Sequence, residues 1–69
     1  MEEKASKSSG VASRIIGANG NVFNLIFIVS RDLRKAGFIE LEKEFKDRCF
    51  RAKSYSEVLA IIQEYVEIE

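Results

Sequence analysis

Seven of the eight residues from Val22 to Val29 are apolar, in a chain of only 69 residues. A helix built on such a run is apolar around nearly its whole circumference and has to be covered on all sides. A chain of about 60 residues buries only about 60% of the surface that its unfolded form exposes. There is room for one domain, and for few other elements with which to cover the run. The octet also fits a strand. Asn19-Gly20 just before it is a strong hairpin signal, and a hairpin would pair Val11–Gly17 with Val22–Val29. Periodicity favours the helix. Val22, Leu25, Ile26, Val29, Leu33 and Ala36 recur at spacings of three and four, which is one face of a helix. Asn21 suits the N-cap. Arg34 and Lys35 suit the last turn, where cations meet the helix dipole. Gly37 suits a left-handed C′ residue, with Phe38 closing the hydrophobic contact beyond it. The spacing predicts a helix from Val22 to Ala36.

A second helix is expected from about Ile39 to Ala52, burying Leu41, Phe45, Cys49 and Ala52. Glu40, Glu42 and Glu44 crowd its start, and Arg48, Arg51 and Lys53 its end, which suits the macrodipole. Glu42–Lys46, Glu44–Arg48 and Asp47–Arg51 are acid-before-base pairs four residues apart. Ser54 and Glu57 have the spacing of a capping box for a third helix, whose apolar face is Tyr55, Val58, Leu59, Ile62, Tyr65 and Val66. At the end of the sequence Val66 and Ile68 alternate with charge, so a short strand there could pair with Val11–Ile16. The expected fold class is mainly α, a small three-helix domain, with an α+β variant in which the N-terminal arm supplies a short strand. Residues 1–10 are polar and Ser-rich and read as a flexible tail, leaving 11–69 as the single domain.

Composition narrows the chemistry. There is no His and one Cys, so the commonest general base near neutral pH is missing and no Cys/His metal cluster is available. No phosphate-binding glycine motif is present. Neither catalytic residues nor a metal or cofactor is expected, and the chain is read as a non-enzyme. Zero Pro and four Gly argue against a disordered linker. No apolar run reaches the roughly 18 residues of a membrane span, and no secretory apolar centre is seen. With the lone thiol, this points to a cytoplasmic protein without membrane contact.

The run Gly20-Asn21-Val22-Phe23, followed by Ser30-Arg31-Asp32-Leu33-Arg34-Lys35-Ala36-Gly37, resembles a family of small uncharacterised bacterial and phage proteins. These share a Gly-Asn-x-Phe helix start, an Ala-Gly helix end and a Ser-Gly-Asp-Tyr-Asp segment before the last helix. Here that segment is Ala52-Lys53-Ser54-Tyr55-Ser56-Glu57, without the Gly and the two Asp. The closing Glu64-Tyr65-Val66-Glu67 is similar as well. The resemblance spans about Ile15 to Glu69. It implies a phage or mobile-element setting and helices over a hairpin at Val22, and it carries no activity.

Two sites stand out. Phe23, Phe27 and Ile28 lie off the main stripe of the first helix, and Phe50 lies off that of the second. Apolar excess on so small a chain usually marks an interface. A two-fold homodimer is therefore expected, with Phe23, Phe27, Ile28 and Phe50 at the contact and the charged second helix facing an unknown protein partner, such as a host protein. The competing expectation is that the N-terminal strand and the third helix cover them all. The second site is an anion pocket from Asn19, Gly20 and Asn21 at a helix start, with Arg31 nearby, which would make the chain a nucleotide or nucleic-acid binder. Against it, Gly20 as a left-handed turn and Asn21 as a cap explain the same residue types. Arg34 also lies roughly 20 Å along the helix from Asn21 at 1.5 Å per residue. A basic surface could be drawn from Arg31, Arg34, Lys35, Arg48, Arg51 and Lys53, but 11 basic residues against 11 acidic ones leave no net positive charge to draw a phosphate backbone.

Overall fold

The first helix forms where the apolar stripe and its caps place it. In a computed structural model, which describes residues 9–18 and 20–69, α1 spans Val22–Lys35. Asn21 caps it, its side-chain oxygen accepting from the Phe23 N–H at 2.8 Å. Its far end closes as a Schellman motif: Gly37 adopts φ +91°, its N–H donates to the Arg34 carbonyl at 3.0 Å, and that of Phe38 to the Leu33 carbonyl at 2.9 Å. The hairpin alternative is not realised. The left-handed turn ahead of the helix falls on Gly17 (φ +88°) and not on Gly20.

α2 spans Ile39–Arg51 and α3 spans Tyr55–Tyr65. Ser54 caps α3 by accepting from the Glu57 N–H at 3.1 Å. Glu57 reaches back one residue further than a capping box requires, accepting from the Lys53 N–H at 3.1 Å. The ends of the described chain meet in a two-stranded parallel sheet. β1 (Ala12–Ser13) pairs with β2 (Glu67–Ile68), Ala12 opposite Glu67 and Ser13 opposite Ile68. The N–H groups of Ile15 and Ile16 extend the contact by donating to the Glu69 carbonyl at 2.8 Å. Parallel neighbours need a long crossover, and here the three helices supply it. The domain is thus mainly α with a small β element. The expectation of a tail over residues 1–10 lies mostly outside the described residues. Ser9, which is described, donates from its hydroxyl to the Tyr65 carbonyl at 2.8 Å.

The core lies between the helices and under the strands. α1 gives Leu25, Ile26, Val29 and Leu33, α2 gives Phe45 and Cys49, α3 gives Val58, Ile61, Ile62 and Tyr65, and Ile15 and Val66 close the ends. Each such side chain contributes about 1.5–3 kcal/mol on burial. Phe45 and Tyr65 meet edge to face at 5.4 Å. Arg48 lies over the Tyr65 ring at 5.8 Å and donates to both carboxylate oxygens of Glu64, at 2.6 and 3.2 Å. Expectation and structure part at several positions. Ala36 and Tyr55 are exposed, Leu41, Ala52 and Leu59 are only half-buried, Ile61 is buried, and Glu42 is buried at 3% exposure.

Candidate interaction site

Phe23 and Phe27 stand one turn apart on α1, roughly 120° around the helix from its core-facing residues at 3.6 residues per turn. They are 65% and 63% exposed, and Phe50 on α2 is 61% exposed. The rings of Phe23 and Phe50 approach to 6.3 Å between centroids at 34°, so the three phenylalanines form one surface. They wall a groove of about 470 Å³ between α1 and α2 whose floor is Ile26 and Ser30. A second hollow of about 350 Å³ continues past Phe23 and Phe50 to Tyr55. Together they leave a solvent-facing aromatic area contiguous over two helices.

Ile28 does not join them. It is half-buried and packs against the core. It lies one turn from Asp32, whose carboxylate accepts from the buried Ser13 hydroxyl at 2.8 Å. The N-terminal arm therefore covers the Ile28 side of α1 and leaves the Phe27 side open.

The other end of the groove is ionic. Arg34 donates to both oxygens of Glu42, at 3.3 and 3.2 Å, and Lys46 reaches the same carboxylate at 3.2 Å. Burial pushes the Glu42 carboxyl up, but the hydrogen bonds and charges of Arg34 and Lys46 outweigh it and hold the group below its ordinary value. Arg31 pairs with its neighbour Asp32 at 3.3 Å. Among the described residues, the Ser30 hydroxyl on the groove floor is the buried side-chain oxygen without a hydrogen-bond partner. The sequence paired Glu42 with Lys46, as found here, but not with Arg34, and it did not place Glu42 inside. The spacing of Glu42 to Phe45 and Cys49, three and then four, was the available signal that Glu42 faces inward.

Of the residues expected in an anion pocket, Asn19 lies outside the described ones. Gly20 is not in the left-handed region. The Asn21 side chain is taken up as the cap of α1. Arg31 is about 15 Å further along the helix at 1.5 Å per residue and is held by Asp32. The basic surface is likewise answered by carboxylates: Arg34 by Glu42, Arg48 by Glu64 and Arg51 by Asp47. The Glu64 hydrogen bonds raise the Arg48 guanidinium further above its already high value. Burial pushes the Cys49 thiol up to about 11, so it stays protonated near neutral pH and is a poor nucleophile. Among the described residues no three carboxylates or thiols converge as metal ligands, and no helix is long and apolar enough to cross a membrane.

No family model, curated protein or solved structure matches the chain. The functional reading therefore rests on this surface.

Proposed function

We propose that the chain is a non-enzymatic protein-interaction module that self-associates through the α1/α2 aromatic face. The observation that carries this reading is the clustering of Phe23, Phe27 and Phe50, each more than 60% exposed, side by side around one groove; Ile16 is 75% exposed as well, but it stands apart on the N-terminal arm. Leaving three aromatic rings in water forgoes the stabilisation that each would gain on burial, and a second copy recovers it. Zero net charge puts no long-range repulsion between copies. Self-contact on this face leaves the outward side of α2, where Glu40, Glu44, Asp47 and Arg51 are exposed, free for a second protein. The absence of His and the ion-paired state of Asp32, Glu42 and Glu64 favour binding over catalysis.

Sedimentation equilibrium across a concentration series tests the reading. The native chain is expected to approach twice the monomer mass at high concentration. Phe27→Ser should remain a monomer with an unchanged circular dichroism spectrum, since the residue is 63% exposed and lies outside the core. A native chain that stays monomeric throughout rejects the proposal.

A further inference from the structure

We infer that the second copy docks with its first helix antiparallel to α1, about a two-fold axis beside Phe27, so that Arg31 of each copy lies over the aromatic end of the other's groove. The inference rests on the self-association proposed above and adds its geometry.

The order of side chains along the groove carries it. Along α1, Phe23 and Phe27 come first and Arg31 and Arg34 follow, each within about a turn of the last. α2 runs alongside in the opposite direction, with Phe50 beside Phe23 and Lys46 beside Arg34 on the shared Glu42 carboxylate. One end of the groove is thus aromatic. The other carries Arg31, Arg34 and Lys46 against only Asp32 and Glu42. A second copy in parallel orientation would set these cations on their own counterparts while removing water from between them, and like charges across an interface are strongly disfavoured. The antiparallel orientation avoids this. With the axis at Phe27, the ring meets its own symmetry mate, Phe23 faces Arg31 of the second copy, and Arg34 of that copy passes near the Phe23–Phe50 pair.

The cations are fit for this use. The Arg31 and Arg34 side chains are 52% and 64% exposed even while paired to carboxylates. A guanidinium held at its edge by a carboxylate keeps a flat face free to stack on an aromatic ring. The same chemistry already operates inside the subunit, where Arg48 is paired with Glu64 and lies over the Tyr65 ring.

Size points the same way. Fully buried aromatics cover about 150–250 Å² each, so three rings some 60% exposed present on the order of 300–450 Å². A standard interface takes about 800 Å² from each partner. A contact confined to the rings falls short. One that also covers the stems of Arg31, Arg34 and Lys46 approaches the requirement, and the antiparallel order brings those stems onto rings.

Cross-linking with a short bismaleimide reads the orientation, using Gly20→Cys and Lys35→Cys variants. Both positions are exposed, a side chain at Gly20 meets the Tyr55 hydroxyl at an ordinary contact distance of 3.9 Å, and the native Cys49 is buried. Within one chain they stand about 22 Å apart at 1.5 Å per residue, too far for the reagent. The expected result is a covalent dimer only when the two variants are mixed. Arg31→Gln supplies an independent sign. In the antiparallel dimer it weakens self-association about tenfold, since two symmetry-related ring contacts are lost at once. In a parallel dimer it strengthens self-association by relieving like charges. Covalent dimers from either variant alone, or tighter association of Arg31→Gln, overturn the antiparallel arrangement while leaving self-association standing. A sedimenting dimer that yields no cross-link in any mixture also overturns it, placing the contact on another face. A strict monomer rejects both proposals, and a monomer that instead binds an acidic amphipathic peptide assigns the groove to a different protein.

Discussion

A carboxylate almost sealed from water persists as a charge only where cations stand against it. Glu42 has two, Arg34 at the C-terminal end of α1 and Lys46 one turn along its own helix, both at 3.2 Å. Burial raises the carboxyl and the two cations lower it by more, so its folded value sits below the ordinary 4.5. An acid depressed in this way contributes stability that is complete above its unfolded value and drains away as pH falls through the folded one. The contribution is therefore held at neutral pH and lost on acidification below about pH 4.5. Replacing Glu42 with Gln should cost about 1–3 kcal/mol in urea unfolding at pH 7. The low end is favoured, because Arg34 and Lys46 are 64% and 40% exposed and turn to water once released. The gap between native and Glu42→Gln stability should narrow steadily below pH 4.5. A gap that stays constant down to acid unfolding would show that the pair contributes nothing as charges.

At the scale of the element, α1 is held by its ends. Asn21→Ala removes the acceptor for the Phe23 N–H and is expected to destabilise the domain by about 1 kcal/mol. If Asn21 served an anion instead, the substitution would leave denaturant stability unchanged in buffer without phosphate or sulfate. The three helices were legible in the sequence because their signals are local: Asn21 at one start, Gly37 and Phe38 at one end, Ser54 and Glu57 at another start. What was less legible is non-local. β1 and β2 are two residues each and pair across the length of the domain, so the alternation of Val66 and Ile68 with charge raised that pairing only as a variant. The spacing of Glu42 to Phe45 and Cys49 hints that Glu42 faces inward, but its partner Arg34 stands on the neighbouring helix, a contact that no pattern within α2 reveals. The candidate site was partly legible for the same reason. Helical spacing set Phe23, Phe27 and Phe50 apart from the core stripes. In an octet apolar all around, however, residue type does not say which flank the rest of the chain covers. The Ser13–Asp32 bond answers that by drawing the arm over the flank that holds Ile28.

For the whole molecule, the coverage is lopsided. The arm and α3 close two sides of α1, and the groove against α2 stays open beside three rings. This separates subunit stability from assembly. Phe27 is 63% exposed and outside the core, and surface substitutions of that kind shift stability by about 0.5 kcal/mol or less. A second copy that binds only the folded chain adds stability by mass action, about 2.7 kcal/mol when free copies exceed Kd a hundredfold. For a domain of this size each kcal/mol moves Tm by roughly 4–8 °C. The native Tm should therefore climb by several degrees across a concentration series that spans Kd, whereas Phe27→Ser should melt at one temperature throughout. At the lowest concentrations the two curves should converge, because there both chains are monomers with the same interior. A native Tm indifferent to concentration would mean that no second copy engages the folded chain. A Phe27→Ser Tm well below the dilute native value would mean instead that the ring supports the subunit's own packing.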